Sequence, residues 1–295
     1  MAEESKMLEG TVAIRPLNPA VGAEIVGLEP RIPLGDDTIR QLRAAFDERG
    51  VLVFRDLDID EAFQRYLVFA LIGETPGPED NRVQHVSNRT KLSSAPYGRL
   101  LFHCDNMWAR RHQPVISLYG EAVEPPGAPT LFVHMADGWD RLPERLRKRV
   151  EGLEARHGFD HTYPNRGGDP DVIDATYEYS RSTVRPIAYP HPRTGRMLLY
   201  VSQQATIEIL GLSPEENEAL LEELFTYLYD PKAVLEHDWR QGDLVIWDNI
   251  GAQHGRGTVA LAGPERTLRK VTGPLNLDPD EIIAPSFPKL ADAMT

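Results

Sequence analysis

The residues most able to do chemistry in this chain are two histidines and an aspartate from distant parts of the sequence. His103 and Asp105 stand two positions apart in LLFHCDNMW, and His254 stands beside glycines in DNIGAQHGRG. Alternate residues of a β-strand point to one face, so a strand through LFHCD would aim His103 and Asp105 together and Cys104 away from them. Two histidines and one carboxylate that leave other coordination positions open describe the facial triad of non-haem Fe(II) oxygenases. The three residues therefore form a candidate iron site.

Cys104 is the only cysteine of the chain. A single cysteine excludes an internal disulfide and a Cys-rich zinc site, which leaves His, Asp and Glu as metal ligands. Since the strand pattern directs Cys104 away from the candidate site, a small buried hydrophobe is favoured over a nucleophile.

A basic side chain follows the candidate site in ERTLRKV, where strand alternation places Arg266, Leu268 and Lys270 on one face. A buried guanidinium at position 266 could form a bidentate pair with a carboxylate. The alternative is a surface arginine on an edge strand.

Composition narrows the partners. The net charge of −13 opposes binding to a polyanion, because that requires clustered Lys and Arg, so we expect no nucleic-acid partner. No apolar run approaches the roughly 20 residues needed to span a bilayer, so we expect no membrane association. The first residues, MAEESKMLEG, lack the basic and apolar blocks of a secretion signal, and we expect a cytoplasmic enzyme.

The elements that must position these residues are mainly strands. TVAIRPL and VLVFRD are typical of strands, and GDDTIRQLRAAFDERG and DIDEAFQRYLVFALIG have the apolar spacing of helices. From residue 100, short apolar runs separated by Pro and Gly suit a sandwich or barrel: LLFH, VISLYGEAV, PTLFVHM, GRMLLYVS, GDLVIWD and RTLRKVTG.

Two further helices lie between these runs. They are LPERLRKRVEGLEARHG and SPEENEALLEELFTYLYD, and the second opens with a capping box at Ser213 and Glu216. The irregular segment 155–195 is rich in Pro, Gly, Asp and Tyr, which is typical of a functional loop or lid. We expect one mostly β domain with flanking helices over 1–295, in which about 140–240 forms an insertion and helices between core strands.

Several segments, in order along nearly the whole chain, resemble the taurine dioxygenase and chlorophenoxyacetate dioxygenase family of Fe(II)- and 2-oxoglutarate-dependent oxygenases. RPLNPAVGAEIVGLEP is similar to the family's N-terminal stretch, and GVLVFRD to the strand after its first helix. LLFHCDNMW resembles its His-x-Asp strand, PPGAPTLF its 2-oxoglutarate segment, and DWRQGDLVIWDNIGAQH the approach to its distal histidine. The resemblance implies a double-stranded β-helix, a cupin-like jelly roll, whose long insertion lies over the iron.

The resemblance also implies roles for individual residues. His103, Asp105 and His254 would bind Fe(II), and Thr130 and Arg266 would hold the distal carboxylate of the cosubstrate 2-oxoglutarate. With O₂ as the second cosubstrate, the enzyme would hydroxylate an unactivated C–H bond of a small molecule and release succinate and CO₂. The implied chemistry requires no catalytic side chain beyond the metal ligands. Family members often form dimers or tetramers, so we expect a homo-oligomer.

Four residues are candidates for substrate contact. Lys270 stands where the taurine enzyme has an arginine for the sulfonate. Lysine cannot form the bidentate hydrogen bonds that a guanidinium makes with an oxyanion, so taurine itself is disfavoured as the substrate. Arg99 shares the strand face of His103 if the strand extends that far; its alternative is a solvated residue in the PYGR turn. Trp108 could line an apolar part of the pocket or belong to the core, and His134 shares strand parity with Thr130. The two basic residues favour a small anionic substrate.

Other functions fit the same residues. Desaturation and other oxidative outcomes use the same triad, whereas halogenation is disfavoured because Asp105 fills the place where halogenating members need a small residue. A non-catalytic jelly roll that binds a small acid would be favoured if Thr130 or Arg266 were missing. A zinc hydrolase on a similar barrel would need a general base beside the triad, and none is obvious in the sequence.

Overall fold

Two facing β-sheets form the centre of the computed structural model, which describes residues 12–77, 80, 82–90, 93–159, 171–173 and 181–274. The major sheet has the strand order β1-β2-β3-β14-β6-β16-β4, and the minor sheet has the order β13-β7-β15-β5. The strands, numbered along the described chain, are β1 (Ala13–Pro16), β2 (Ala23–Val26), β3 (Val51–Phe54), β4 (Gln84–Ser87), β5 (Gly98–His103), β6 (Val115–Val123), β7 (Thr130–His134), β8 (Glu154–Phe159), β9 (Arg181–Pro186), β10 (Ala188–Pro190), β11 (Met197–Leu199), β12 (Thr206–Ile209), β13 (Leu235–His237), β14 (Leu244–Asp248), β15 (Ala252–Val259) and β16 (Arg266–Thr272).

Helices cover the outer faces of both sheets. The helices are α1 (Asp36–Arg49), α2 (Glu61–Ile72), α3 (Met135–Arg141), α4 (Glu144–Val150) and α5 (Pro214–Leu228). Helices α1 and α2 pack on the major sheet, and the other three pack on the side of the minor sheet. The predicted capping box opens α5, where Ser213 accepts from the amide of Glu216 and the Glu216 carboxylate accepts from the amide of Ser213. The predicted mostly β fold with flanking helices, a jelly roll, is confirmed.

Strand alternation divides the core into layers. In β14, Val245 and Trp247 face the space between the sheets, whereas Leu244 and Ile246 pack under α1 and α2. All four side chains are buried. A central strand that is apolar on both faces is what a sheet covered on both sides requires.

The structure corrects two predicted segments. The helix predicted over LPERLRKRVEGLEARHG ends at Val150, because Gly152 adopts a left-handed φ of 73° and the chain turns into β8. The described part of the predicted irregular segment 155–195 is mainly β-structure, since β8 pairs with β9 and β10 pairs with β11. The lid prediction falls largely on 160–170 and 174–180, which lie outside the described residues.

Within the described residues, no helix is both long enough and apolar enough to cross a bilayer.

Candidate active site

The two candidate histidines face each other across neighbouring strands of the minor sheet. His103 is the last residue of β5, and its partner in the register is His254 of β15. Their ring centroids are 4.2 Å apart. Asp105 Oδ1 lies 3.4 Å from Nε2 of His103 and 3.7 Å from Nε2 of His254. One ligand atom from each residue therefore falls within 4.8 Å of the others, a cluster able to hold one metal ion.

Asp105 reaches this cluster through a turn, which corrects the prediction that strand alternation brings it there. Strand β5 ends at His103, and Asn106 has a φ of 57° in the turn that follows. Cys104 points away as predicted: it is 2% exposed, and its Sγ lies 3.6 Å from the carbonyl oxygen of Ala252. Burial, followed by the charges of nearby carboxylates, raises the pKa of this thiol well above its usual range. We therefore expect the thiol to react slowly in the folded chain.

The donor set suits a divalent transition metal. His103 Nδ1 lies 2.7 Å from the carbonyl oxygen of Leu101, a bond in which the imidazole donates, so that the lone pair of Nε2 faces the cluster. Burial lowers the pKa of His254 well below its usual value, with the neighbouring His103 as a second cause. A neutral imidazole is the form that coordinates a metal.

Lys270 contacts the same carboxylate from the major sheet. Its Nζ lies 2.5 Å from Oδ2 of Asp105. Burial alone would raise the pKa of Asp105, but the charge of the Lys270 ammonium holds it well below its usual value. Asp105 is thus an anion with one oxygen toward the imidazoles and the other toward the ammonium. Lys270 was predicted to contact substrate, and its ion pair with Asp105 was not predicted.

Arg266 is buried at the start of β16, and the surface alternative is wrong. Strand β16 lies between β6 and β4, and Arg266 is 3% exposed. The guanidinium donates to Thr130 Oγ1 over 3.1 Å and to the carbonyl oxygen of Ala128 over 3.1 Å. The structure therefore brings Arg266 and Thr130 together, as predicted, across the space between the sheets.

Trp239 lies with Thr130 and Arg266 in one buried pocket, and it was not predicted from the sequence. Its Nε1 donates to Thr130 Oγ1 over 2.9 Å, and the guanidinium carbon of Arg266 lies 5.8 Å from the centre of its ring. Its position follows from strand pairing, because β13 pairs with β7 and puts His237 opposite Thr130, two residues before Trp239. No local pattern in the sequence predicts that pairing. With two donors directed at its oxygen, Thr130 keeps its own hydroxyl hydrogen for another acceptor.

A second buried arginine adds positive charge near this pocket. Arg256 lies opposite Thr130 in the β15–β7 register and donates to three carbonyl oxygens at and just before the start of β5, those of Ala95, Tyr97 and Gly98. Burial lowers its pKa to about 10, and burial, then Arg256, lowers the pKa of Arg266. Among the described residues, neither guanidinium is paired with an acidic side chain. The pocket therefore favours an anionic ligand.

Three predicted substrate residues lie in different settings. Arg99 is exposed, and a bulge in β5 breaks the alternation: Leu100 packs between the sheets, so Arg99 does not share a face with His103. His134 is a helix N-cap, since its Nδ1 accepts from the amide of Ala136 at the start of α3. Trp108 is 4% exposed, which fits its core alternative.

Comparison with known proteins gives a consistent result. A family model described as "Taurine catabolism dioxygenase TauD, TfdA family" matches residues 13–272. The chain is 30% identical over 248 residues to the (S)-phenoxypropionate/alpha-ketoglutarate-dioxygenase of Sphingobium herbicidovorans, an alignment that covers 80% of this chain and 86% of that protein. It is 29% identical over 288 residues to the pentalenolactone F synthase of Streptomyces avermitilis, covering 85% and 90% respectively.

A solved structure agrees in fold. The crystal structure of AAD-2 in complex with Mn(II) and N-oxalylglycine superposes with a TM-score of 0.72 at 27% identity. The match covers 89% of this chain and 96% of that one.

Proposed function

This chain belongs to the TauD, TfdA family and is a 2-oxoglutarate-dependent non-haem iron dioxygenase, and we propose that the cluster between its sheets binds the iron. His103, Asp105 and His254 would be the protein ligands. The observation that carries this proposal is the convergence of two imidazole nitrogens and one ionised carboxylate within 4.8 Å. The Mn(II) in the solved relative supports a divalent metal on this fold.

We propose that Thr130 and Arg266 bind the distal carboxylate of 2-oxoglutarate. The guanidinium is a buried cation with no acidic partner among the described side chains, and the Thr130 hydroxyl has a hydrogen free to donate. A charge-assisted pair to a carboxylate satisfies both groups. N-oxalylglycine, bound in the solved relative, is itself a small dicarboxylate.

The chain's own residues supply positioning and exclusion of water. When bound, the ferrous ion supplies open coordination positions for 2-oxoglutarate and O₂ and the oxidising chemistry that ends in succinate and CO₂. The Leu101 carbonyl fixes the tautomer of His103, and Lys270 keeps Asp105 ionised. Trp247 and Phe132 pack against the ring of His254 and exclude water from that side. Holding the reactants in place accounts for the catalytic contribution of these side chains.

We further propose that the substrate is a small anion and that the outcome is hydroxylation. One relative is named for phenoxypropionate, which carries a carboxylate. In this chain, a metal ion bound to Asp105 would neutralise the charge of the Asp105 carboxylate. The ammonium of Lys270 would then have charge to offer a substrate anion. We also propose a dimer or tetramer, which sedimentation would test, and a cytoplasmic location.

Two measurements test the function. The anaerobic protein is titrated with Fe(II) and then 2-oxoglutarate while its visible absorption is followed, and succinate formation and O₂ uptake are then measured in air. A new absorption band and uncoupled succinate formation are expected. The proposal is overturned if neither appears.

Variants link this chemistry to the cluster. His103→Ala and Asp105→Ala should lose Fe(II) binding and succinate formation together, because two of three ligands no longer suffice. Arg266→Met should keep Fe(II) binding and bind 2-oxoglutarate more weakly. Retention of iron-dependent turnover by His103→Ala would remove that residue from the site. Hydroxylation is then checked by mass spectrometry of a panel of small carboxylates and their neutral amides.

A further inference from the structure

We infer that Asn249 is a positioning residue that sets the metal affinity by holding the backbone of Asp105. The inference rests on the metal site proposed above.

The backbone of Asp105 lies beyond the reach of the strand ladder. Strand β5 ends at His103, and the next residues form a turn in which Asn106 has a positive φ. The N–H and C=O of Asp105 therefore need partners from outside the sheet, because an unpaired buried backbone group is costly. The position of a ligand carboxylate depends on how these two groups are held.

The side-chain amide of Asn249 pairs with both groups. Its Oδ1 accepts from the Asp105 amide over 2.9 Å, and its Nδ2 donates to the Asp105 carbonyl oxygen over 2.9 Å. The same Nδ2 donates to the carbonyl oxygen of Gln113 over 2.9 Å. These two hydrogen bonds reproduce the pair of bonds that two directly opposite residues exchange in an antiparallel sheet. One side chain thus continues the ladder for Asp105 where the strand has ended.

Asn249 is itself firmly held. It is 2% exposed, and its own amide donates to the carbonyl oxygen of Pro114 over 3.1 Å. Its neighbour Asp248 accepts from the amides of Ile250 and Gly251, which closes the turn into β15. That turn leads directly to His254. Asn249 therefore fixes the second ligand relative to the third.

The size of the effect follows from the geometry that a metal requires. Ligands must be held to within about 0.5 Å, and loss of a group that orients a ligand typically weakens metal affinity by about 10- to 100-fold. Without Asn249, Asp105 would keep only its side-chain contacts to Lys270 and the imidazoles. The bond network predicts a loss in metal affinity and no direct loss in 2-oxoglutarate affinity, because Arg266 and Thr130 are held by other partners.

The test compares Asn249→Ala and the uncharged, nearly isosteric Asn249→Leu with Asn217→Ala. Asn217 is a matched control, since its Oδ1 accepts from the amide of Ile209 over 2.8 Å on α5, remote in the fold from the cluster. Co(II) affinity is measured by visible absorption, and 2-oxoglutarate affinity at saturating Co(II). We expect Co(II) binding to weaken about 10- to 100-fold in both Asn249 variants. Asn217→Ala should match the parent chain, and 2-oxoglutarate affinity should not change in any of them.

A measurement on the parent chain removes dependence on variant folding. Hydrogen exchange of the metal-free protein should show a slowly exchanging amide at Asp105, which no strand pairing explains. Rapid exchange there, or parent-like Co(II) affinity in a folded Asn249 variant, would overturn the inference alone. Failure of the parent chain to bind Co(II) would overturn the proposed metal site and this inference with it.

Discussion

Lys270 and Asp105 form an ion pair between the two sheets, with Nζ of the lysine 2.5 Å from Oδ2 of the aspartate. The other oxygen of the same carboxylate faces His103 and His254. The ammonium therefore neutralises, in the metal-free chain, a charge that a bound metal would otherwise neutralise. The ion pair therefore has two effects: it stabilises the metal-free fold, and its ammonium opposes the binding of a metal ion.

Replacement of Lys270 by methionine should change these contributions in opposite directions. Loss of one partner of a largely buried ion pair typically costs about 3 kcal/mol, so the metal-free variant should unfold at lower denaturant. A unit charge about 5 Å from a metal ion repels it by several kcal/mol even at an effective dielectric constant of about 20, so the variant should bind Co(II) more tightly. Urea unfolding with and without Co(II) measures both effects.

Arg269→Met is the matched control for this prediction. Arg269 is the next residue toward the N-terminus on the same strand, but it bonds Gln64 and Glu121 on the opposite face. It should leave Co(II) affinity unchanged. Weaker Co(II) binding by Lys270→Met would contradict the charge argument.

Trp239→Phe should weaken the binding of 2-oxoglutarate without changing the affinity for metal. The phenyl ring keeps the contact with Arg266 but loses the donor to Thr130 Oγ1, and a neutral hydrogen bond contributes about 1 kcal/mol, roughly fivefold in affinity. In the double variant with Thr130→Val, the loss of 2-oxoglutarate affinity should be smaller than the sum of the two single losses, since each change removes the same hydrogen bond. Titration of the anaerobic Fe(II) protein measures the affinities, and Trp139→Phe is the control on α3. Additive losses would show that Trp239 acts independently of Thr130.

His134 should make the fold sensitive to acid. Its pKa is lowered to about 3, first by burial and then by Arg196, whereas an unfolded histidine titrates near 6.5. Between these values only the unfolded chain takes up the proton, so stability is full above about pH 6.5 and falls as the pH drops toward 3. One such histidine contributes a slope of up to about 1.4 kcal/mol per pH unit.

His134→Asn tests this contribution, because asparagine can cap α3 and does not titrate in this range. The free energy of unfolding of the variant should fall less steeply between pH 6 and pH 4 than that of the parent chain. Parallel slopes in parent and His134→Asn would rule out His134 as a source of acid sensitivity.

Cys104 should be inert toward thiol reagents in the native protein. Burial and neighbouring carboxylates disfavour its thiolate. A chromogenic disulfide should react with one thiol per chain only after unfolding in denaturant. Rapid labelling at neutral pH without denaturant would mean that this turn opens.

Strand alternation correctly predicted which side chains share a face where a strand is regular. Arg266, Leu268 and Lys270 do share the face predicted from alternation, and Leu268 is fully buried between the sheets. The argument failed where the ladder is irregular. A bulge in β5 turns Arg99 away, and the end of β5 leaves Asp105 to a turn.

The partners of the site residues could not be predicted for a different reason. Asn249 and Asp105 are 144 positions apart, and Trp239 and Thr130 are 109 apart. Such pairs depend on which strands become neighbours, which local periodicity does not encode. Similarly, the helical pattern of RLRKRV continued through the sequence, but Gly152 and the pairing of β8 with β9 ended it.

The placement of the candidate ligands on the minor sheet and of Arg266 on the major sheet has a mechanical consequence. The guanidinium of Arg266 crosses the space between the sheets to Thr130 on β7, two residues from Phe132, which is the register partner of His254. Phe132 from one sheet and Trp247 from the other meet there with ring centres 5.5 Å apart. Both rings also contact His254. With iron at the proposed site, the volume of these two core side chains would help to set the length of the molecule that can bridge the metal and the guanidinium.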